Sequence, residues 1–165
     1  MQNKSTAFFQ KVVFHASNKR GLSEHETILP DGRKVVIDAS FGDEYPSSYM
    51  DIYLPLFGDK RPVFFYIHGG GYCWGDKSEY EPLNINKGNG EFFKMLNDCG
   101  IVVFSLNYAL CDEYTYPVPV KQLADAIRFV CGNAEKYGID TSRIAFGGDS
   151  AGGQLSGQLA LLITD

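Results

Sequence analysis

The chain has 165 residues, 44% hydrophobic and 21% charged, which suits one soluble globular domain with a sizeable core and excludes a disordered chain. A net charge of −5 with scattered Lys and Arg argues against a nucleic-acid partner, since phosphate binding needs a clustered basic surface. No apolar run approaches the ~20 residues of a membrane span, and the polar N-terminus lacks a signal-peptide core.

In chain order, Phe8, Phe9, Val12, Val13 and Ala16 form a helical stripe over Ser5–Ser17, with Ser5 as the N-cap. "ETILPDGRKVVIDASFG" has the form strand, Pro-Asp-Gly turn, strand, and "YMDIYLP" is extended, with Asp51 and Tyr53 alternating against Ile52 and Leu54. "PVFFYIH" is an almost continuous apolar run, as expected of a strand covered on both faces in a parallel sheet. "FFKMLNDCG" predicts a short helix ending at Gly100, and "IVVFSLNY" a second buried strand. Val120, Leu123, Ala124, Ile127, Val130, Cys131 and Ala134 place one long amphipathic helix over Pro117–Tyr137, stopped by Gly138. "RIAFGG" reads as a third buried strand and Ala151–Thr164 as a final apolar helix. The alternation predicts an α/β doubly wound, mostly parallel sheet with flanking helices.

Two motifs fall where this scaffold would use them. Gly148-Asp149-Ser150-Ala151-Gly152 fits G-x-S-x-G between a strand and a helix, the context in which a sharp turn lifts a nucleophilic serine out of the sheet. The Ala151 N–H, at the helix N-terminus, points into the same space and can stabilise an oxyanion. His68-Gly69-Gly70-Gly71 follows the first buried strand, and its uncovered backbone N–H groups can aim at a carbonyl oxygen as it becomes negative. Either motif alone could be a common small-residue turn or an anion-binding nest.

The four cysteines (Cys73, Cys99, Cys111, Cys131) form no C-x-x-C pair and no Cys/His metal spacing, so they read as reduced, mostly buried thiols of a cytoplasmic protein, with no metal or other cofactor. Cys73 and Trp74 would line the pocket or pack beneath it. "CDEYTYP" reads as a cap-facing loop rather than a metal site.

The stretches "MDIYLP", "PVFFYIHGGGYCWGDK", "SLNYAL", "YPVPVKQLADAIRFV" and "YGIDTSRIAFGGDSAGGQLSGQLALL" resemble, in order, the hormone-sensitive-lipase-like esterase/lipase branch of the α/β-hydrolases. The resemblance implies an α/β-hydrolase fold, Ser150 as nucleophile and the N–H groups of Gly70, Gly71 and Ala151 as oxyanion hole, acting on a small-molecule ester. His68 then orders the glycine loop rather than serving as base, and Asp149 is too close to Ser150 to be a triad acid. Residues 1–25 could begin a cap over the site, or equally form a helix covering the core.

The family's triad continues downstream of the serine as Asp or Glu, then His. Here the histidines are His15, His25 and His68, all upstream. The expectation is therefore a partial α/β-hydrolase domain over residues 1–165, with its C-terminal strands absent and the triad acid and base missing. Its last strand would be an unpaired edge that invites self-association or pairing with another chain. The competing expectation is a non-catalytic hydrolase-like binding domain, or one half of a split or truncated enzyme.

Overall fold

Gly32 takes φ +88° and its N–H donates to the Leu29 carbonyl at 2.9 Å, so the Pro-Asp-Gly segment turns as its sequence predicts. It closes an antiparallel hairpin of β1 (His25–Ile28) and β2 (Lys34–Ser40), with Thr27 opposite Val35. The structure, a computed structural model, describes residues 18–78, 88–111 and 113–164. The helix predicted over Ser5–Ser17, with His15, lies outside the described residues, and so does the question of a cap.

β3 (Tyr49–Leu54) pairs antiparallel with β2 on one side and β5 (Val102–Leu106) on the other, while β4 (Arg61–Ile67) runs parallel between β5 and β6 (Ile139–Gly148). The six-stranded order is β1-β2-β3-β5-β4-β6. The helices are α1 (Gly88–Asp98), α2 (Val118–Gly132), α3 (Ala134–Tyr137) and α4 (Ala151–Thr164). This is the doubly wound α/β arrangement, but the sheet is mixed rather than mostly parallel. Helical crossovers keep β4, β5 and β6 parallel, whereas the hairpin and β3 add antiparallel neighbours.

Both faces of the central strands are covered, which explains their continuous apolar sequences. Phe65, Ile67, Phe104 and Leu106 pack with Val120, Leu123 and Val130 of α2 and Leu155 and Leu159 of α4. Tyr66, Val103 and Tyr53 point the other way, into a cluster built on Phe93 of α1. Removing Phe93, which is fully buried, from water stabilises the fold by roughly 2–3 kcal/mol.

Three expectations change. The Pro117–Tyr137 helix is interrupted at Asn133 (φ −111°, ψ 25°), whose side-chain amide donates to the Phe129 carbonyl at 2.8 Å; Gly138, in the left-handed region, ends α3 as predicted. β3 is not half-polar: Asp51 and Tyr53 are as buried as Ile52, because β3 lies between β2 and β5 with both faces covered. β6 is not buried on both faces. It is the outer strand beside β4, and Thr141, Ser142, Arg143 and Ala145 are exposed. Among the described residues no helix is long and apolar enough to cross a membrane.

Candidate active site

Ser150 sits between the end of β6 and the start of α4 at φ +49°, a left-handed conformation that a non-glycine residue holds only when its surroundings impose it. The surroundings are crowded. A Cβ at Gly148 or Gly152 would overlap the carbonyl oxygen of Ile67 at the end of β4. The two glycines of G-x-S-x-G thus let the turn press against β4, and Ser150 is left exposed at the crest. Asp149 caps the first turn of α4, its carbonyl accepting the N–H groups of Gly152 (2.8 Å) and Gly153 (3.3 Å), with Ala151 at the helix N-terminus.

The glycine loop is joined to this turn. Oδ1 of Asp149 accepts the Gly69 N–H at 2.9 Å and the Tyr66 hydroxyl at 2.7 Å. Gly70 and Gly71 take φ +102° and +58°, and neither amide has a partner among the described residues. A Cβ on Gly70 would overlap the Trp74 carbonyl, so the loop folds back on itself tightly, with the Gly70 carbonyl accepting the N–H groups of Cys73 and Trp74.

His68 is 1% exposed and its ring stacks on Tyr108, centroids 4.4 Å apart. Its Nδ1 lies 2.8 Å from the Gly69 carbonyl, and burial holds its pKa below the ordinary value, so the ring is neutral at pH 7. The Tyr108 hydroxyl donates toward the carbonyls of His68 (3.0 Å) and Gly69 (3.2 Å). Burial also pushes the Tyr108 phenol up, which keeps it a donor.

Beyond the loop, Lys77 is 1% exposed, and its ammonium lies 2.7 Å from both Asp38 and Asp51. Asp38 reaches it from a bulge in β2, at φ +59°, where the register against β3 shifts between Val36 and Ala39. The Lys77 N–H donates to Asn107 at 2.5 Å, its carbonyl accepts the Ser105 hydroxyl at 2.8 Å, and Asn107 also donates to Asp76 at 3.0 Å. The segment after the glycine loop is thereby tied to β2, β3 and β5.

A cavity of about 360 Å³ opens beside Gly71 and is lined chiefly by Tyr72, Tyr114, Tyr116, Val120 and Leu155, with Gln154 one turn past Ser150. Of the two alternatives for Cys73 and Trp74, lining the pocket or packing beneath it, the first does not hold for this cavity: Tyr72 and Cys111 stand in its wall, and Trp74 is half exposed. Nor are the cysteines buried, because each lies in a loop or on the outward side of a helix; Cys99 and Cys111 are exposed, Cys73 and Cys131 half-buried.

The structure brings Ser150, Asp149, Ala151 and His68–Gly71 to one end of β4 and β6. His25 does not join them: it stands on β1, five strands across the sheet and on the order of 24 Å from β6 at normal strand spacing. Tyr66, Tyr108 and the Asp38–Lys77–Asp51 cluster were not singled out by the sequence. The usable signal was Asp51 inside a buried strand, since a buried carboxylate demands a cation.

A strand-to-helix serine turn facing a glycine loop at the C-terminal ends of parallel strands is the architecture of an α/β-hydrolase. The BD-FAE family model matches residues 50–165, and the chain belongs to that family. Arylacetamide deacetylase from Bos taurus is 35% identical over 134 residues, covering 79% of this chain and 31% of its own length. Carboxylesterase NlhH from Mycobacterium tuberculosis is 36% identical over 111 residues, or 67% of this chain and 32% of its own. Among solved structures, a bacterial heroin esterase superposes with TM-score 0.62 at 28% identity, over 98% of this chain and 45% of its own. Esterase B from Lactobacillus rhamnosis superposes with TM-score 0.69 over 98% of this chain and 47% of its own, its 20% identity bearing on the fold alone. The chain thus spans about a third of the length of these curated relatives.

Proposed function

We propose that this chain carries the nucleophile and oxyanion hole of a serine carboxylesterase acting on short or medium acyl esters. One observation carries the reading: Ser150 is held at φ +49° on the β6–α4 turn, with that turn hydrogen-bonded through Asp149 to the glycine loop. Ser150 Oγ attacks the ester carbonyl, and the N–H groups of Gly70, Gly71 and Ala151 donate hydrogen bonds to the developing oxyanion, each worth about 10²–10³ in rate. The alcohol leaves and an acyl-Ser150 ester remains for water to cleave. The cavity beside Gly71 has the size and apolar wall for a short acyl or alcohol group.

The proton on Ser150 needs an acceptor. His68 is buried, neutral and committed to the glycine loop, and His25 is at the opposite sheet edge. Neither of these described histidines is placed to take the proton; the family resemblance sets the triad acid and base downstream of the serine, and the proposal assigns them to further sequence that pairs along the β6 edge. A cytoplasmic setting fits four cysteines with no C-x-x-C pair and no Cys/His metal spacing.

The test is hydrolysis of p-nitrophenyl acetate by the folded full-length protein and by its Ser150→Ala variant. Loss of Ser150-dependent turnover supports the reading, and equal rates overturn it. The locked state of His68 also favours a second reading, a non-catalytic domain that binds a small ester in the cavity. That reading predicts ligand binding that survives Ser150→Ala, with no covalent labelling of the serine.

A further inference from the structure

We propose that Cys73 and Cys111 form a dithiol site that closes to a disulfide by exchange with a low-molecular-weight disulfide, stapling the glycine loop to the cavity wall. The site goes beyond the esterase reading, and its readouts need no ester turnover.

The two sulfurs are 2.8 Å apart, although the residues are 38 positions apart in sequence. That separation is inside van der Waals contact and only about 0.8 Å beyond a covalent S–S bond. Backbone hydrogen bonds hold the two segments beside each other. The Cys111 N–H donates to the Tyr72 carbonyl at 2.8 Å, and the Cys73 N–H donates to the Gly70 carbonyl at 3.0 Å. Closure asks the two sulfurs to approach by a further ~0.8 Å. Cys99, just after α1, and Cys131, in α2, belong to other parts of the fold and share no such contact among the described residues.

Exposure sets the order of events. Cys111 is exposed and Cys73 half-buried, so Cys111 meets the external disulfide first. Its thiolate attacks one sulfur of oxidised glutathione, forms a mixed disulfide and releases one glutathione thiolate. The Cys73 thiolate then attacks the Cys111 sulfur, forms Cys73–Cys111 and releases the second glutathione. Two protein thiols are oxidised, one external disulfide is reduced to two thiols, and the two protein S–H protons pass to the leaving thiolates.

The location gives the bond a consequence. Cys73 is two residues past Gly71, and Cys111 lines the cavity. Tyr72, the residue before Cys73, also lines the cavity, and its hydroxyl donates to Gln154 at 2.5 Å, one turn beyond Ser150. A closed bond fixes the loop carrying Gly70 and Gly71 against the wall that shapes the cavity, and a reducing agent releases it.

The test is exchange of the native protein with oxidised glutathione, followed by alkylation, proteolysis and mass spectrometry. The proposal predicts a protein lighter by about 2 Da, a cross-linked peptide joining Cys73 to Cys111, and full reversal by dithiothreitol, with Cys99 and Cys131 still alkylated. Cys99→Ser leaves the cross-link unchanged and Cys111→Ser abolishes it. A urea-unfolded sample shows scrambled pairs instead, which ties the selectivity to the fold. A stable glutathione adduct on Cys111 with Cys73 still alkylatable would overturn the proposal. So would a dominant cross-link between any other pair, or no reaction at either thiol in the folded protein.

Discussion

Asp149 accepts the backbone N–H of Gly69 at 2.9 Å, so the residue beside the candidate nucleophile also fixes the start of the glycine loop. In the sequence Asp149 stands only as part of G-x-S-x-G, too close to Ser150 to be a triad acid; its partners make it the brace between two motifs 80 positions apart. Asp149→Ala leaves the Gly69 amide and the Tyr66 hydroxyl without their acceptor, at a cost of about 1–3 kcal/mol in urea unfolding. Asp149→Asn keeps an acceptor oxygen and is expected to cost less than Asp149→Ala. Equal, negligible losses for both would show that the brace does not bear on stability.

The glycines around Ser150 separate steric need from helix propensity. Gly152→Ala places a methyl group against the Ile67 carbonyl and is expected to lose about 3 kcal/mol, seen as a lowered thermal midpoint. Gly157→Ala, in the same helix with nothing within 4 Å of its Cβ, is expected to gain roughly 0.5–1 kcal/mol. The opposite signs within one helix are the signature to look for.

Lys77 gives a pH dependence with a definite sign. Burial lowers its pKa, but the carboxylates of Asp51 and Asp38 more than offset this and hold it above the ordinary 10.5. A pKa raised on folding contributes stability that is complete below the unfolded value and is lost as pH rises through the folded one. Stability is therefore expected to fall in alkali beyond about pH 10.5. Lys77→Met strands two carboxylates and is expected to cost about 3–5 kcal/mol at pH 7, with part of the alkaline slope removed. Chemical unfolding of both proteins across pH 7–11 checks both statements.

The outer strand supplies a prediction about association. Leu161 and Leu162 on α4 are 68% and 63% exposed, and β6 has no strand beyond it among the described residues. If the β6 edge and α4 take part in association, sedimentation shows concentration-dependent assembly that Leu161→Glu with Leu162→Lys weakens. A concentration-independent monomer would remove that part of the proposal.

What the sequence could express was what neighbouring residues decide. The apolar runs of β4 and β5, the Pro-Asp-Gly hairpin, the Gly138 stop and both motifs are local patterns, and the fold class follows from their order. What it could not express depends on partners far along the chain. Asp51 looked like the polar side of an alternating strand until Lys77 and Asp38 met it, and Tyr108 carried no mark that it would stack on His68. β6 resembled β4 in composition, yet its burial depends on which strands lie beside it. The cysteines failed for the same reason, since nothing local distinguishes a thiol packed inside from one left on a loop.

The central claim, that Ser150 is a nucleophile held against backbone donors, meets its most direct measurement in covalent labelling. The folded full-length protein is incubated with a fluorophosphonate and its peptides are mapped by mass spectrometry. The account predicts a single adduct on the peptide carrying Ser150, absent in Ser150→Ala and slowed by Asp149→Ala. An unlabelled Ser150 in folded protein, or an adduct spread over other hydroxyls, would contradict it.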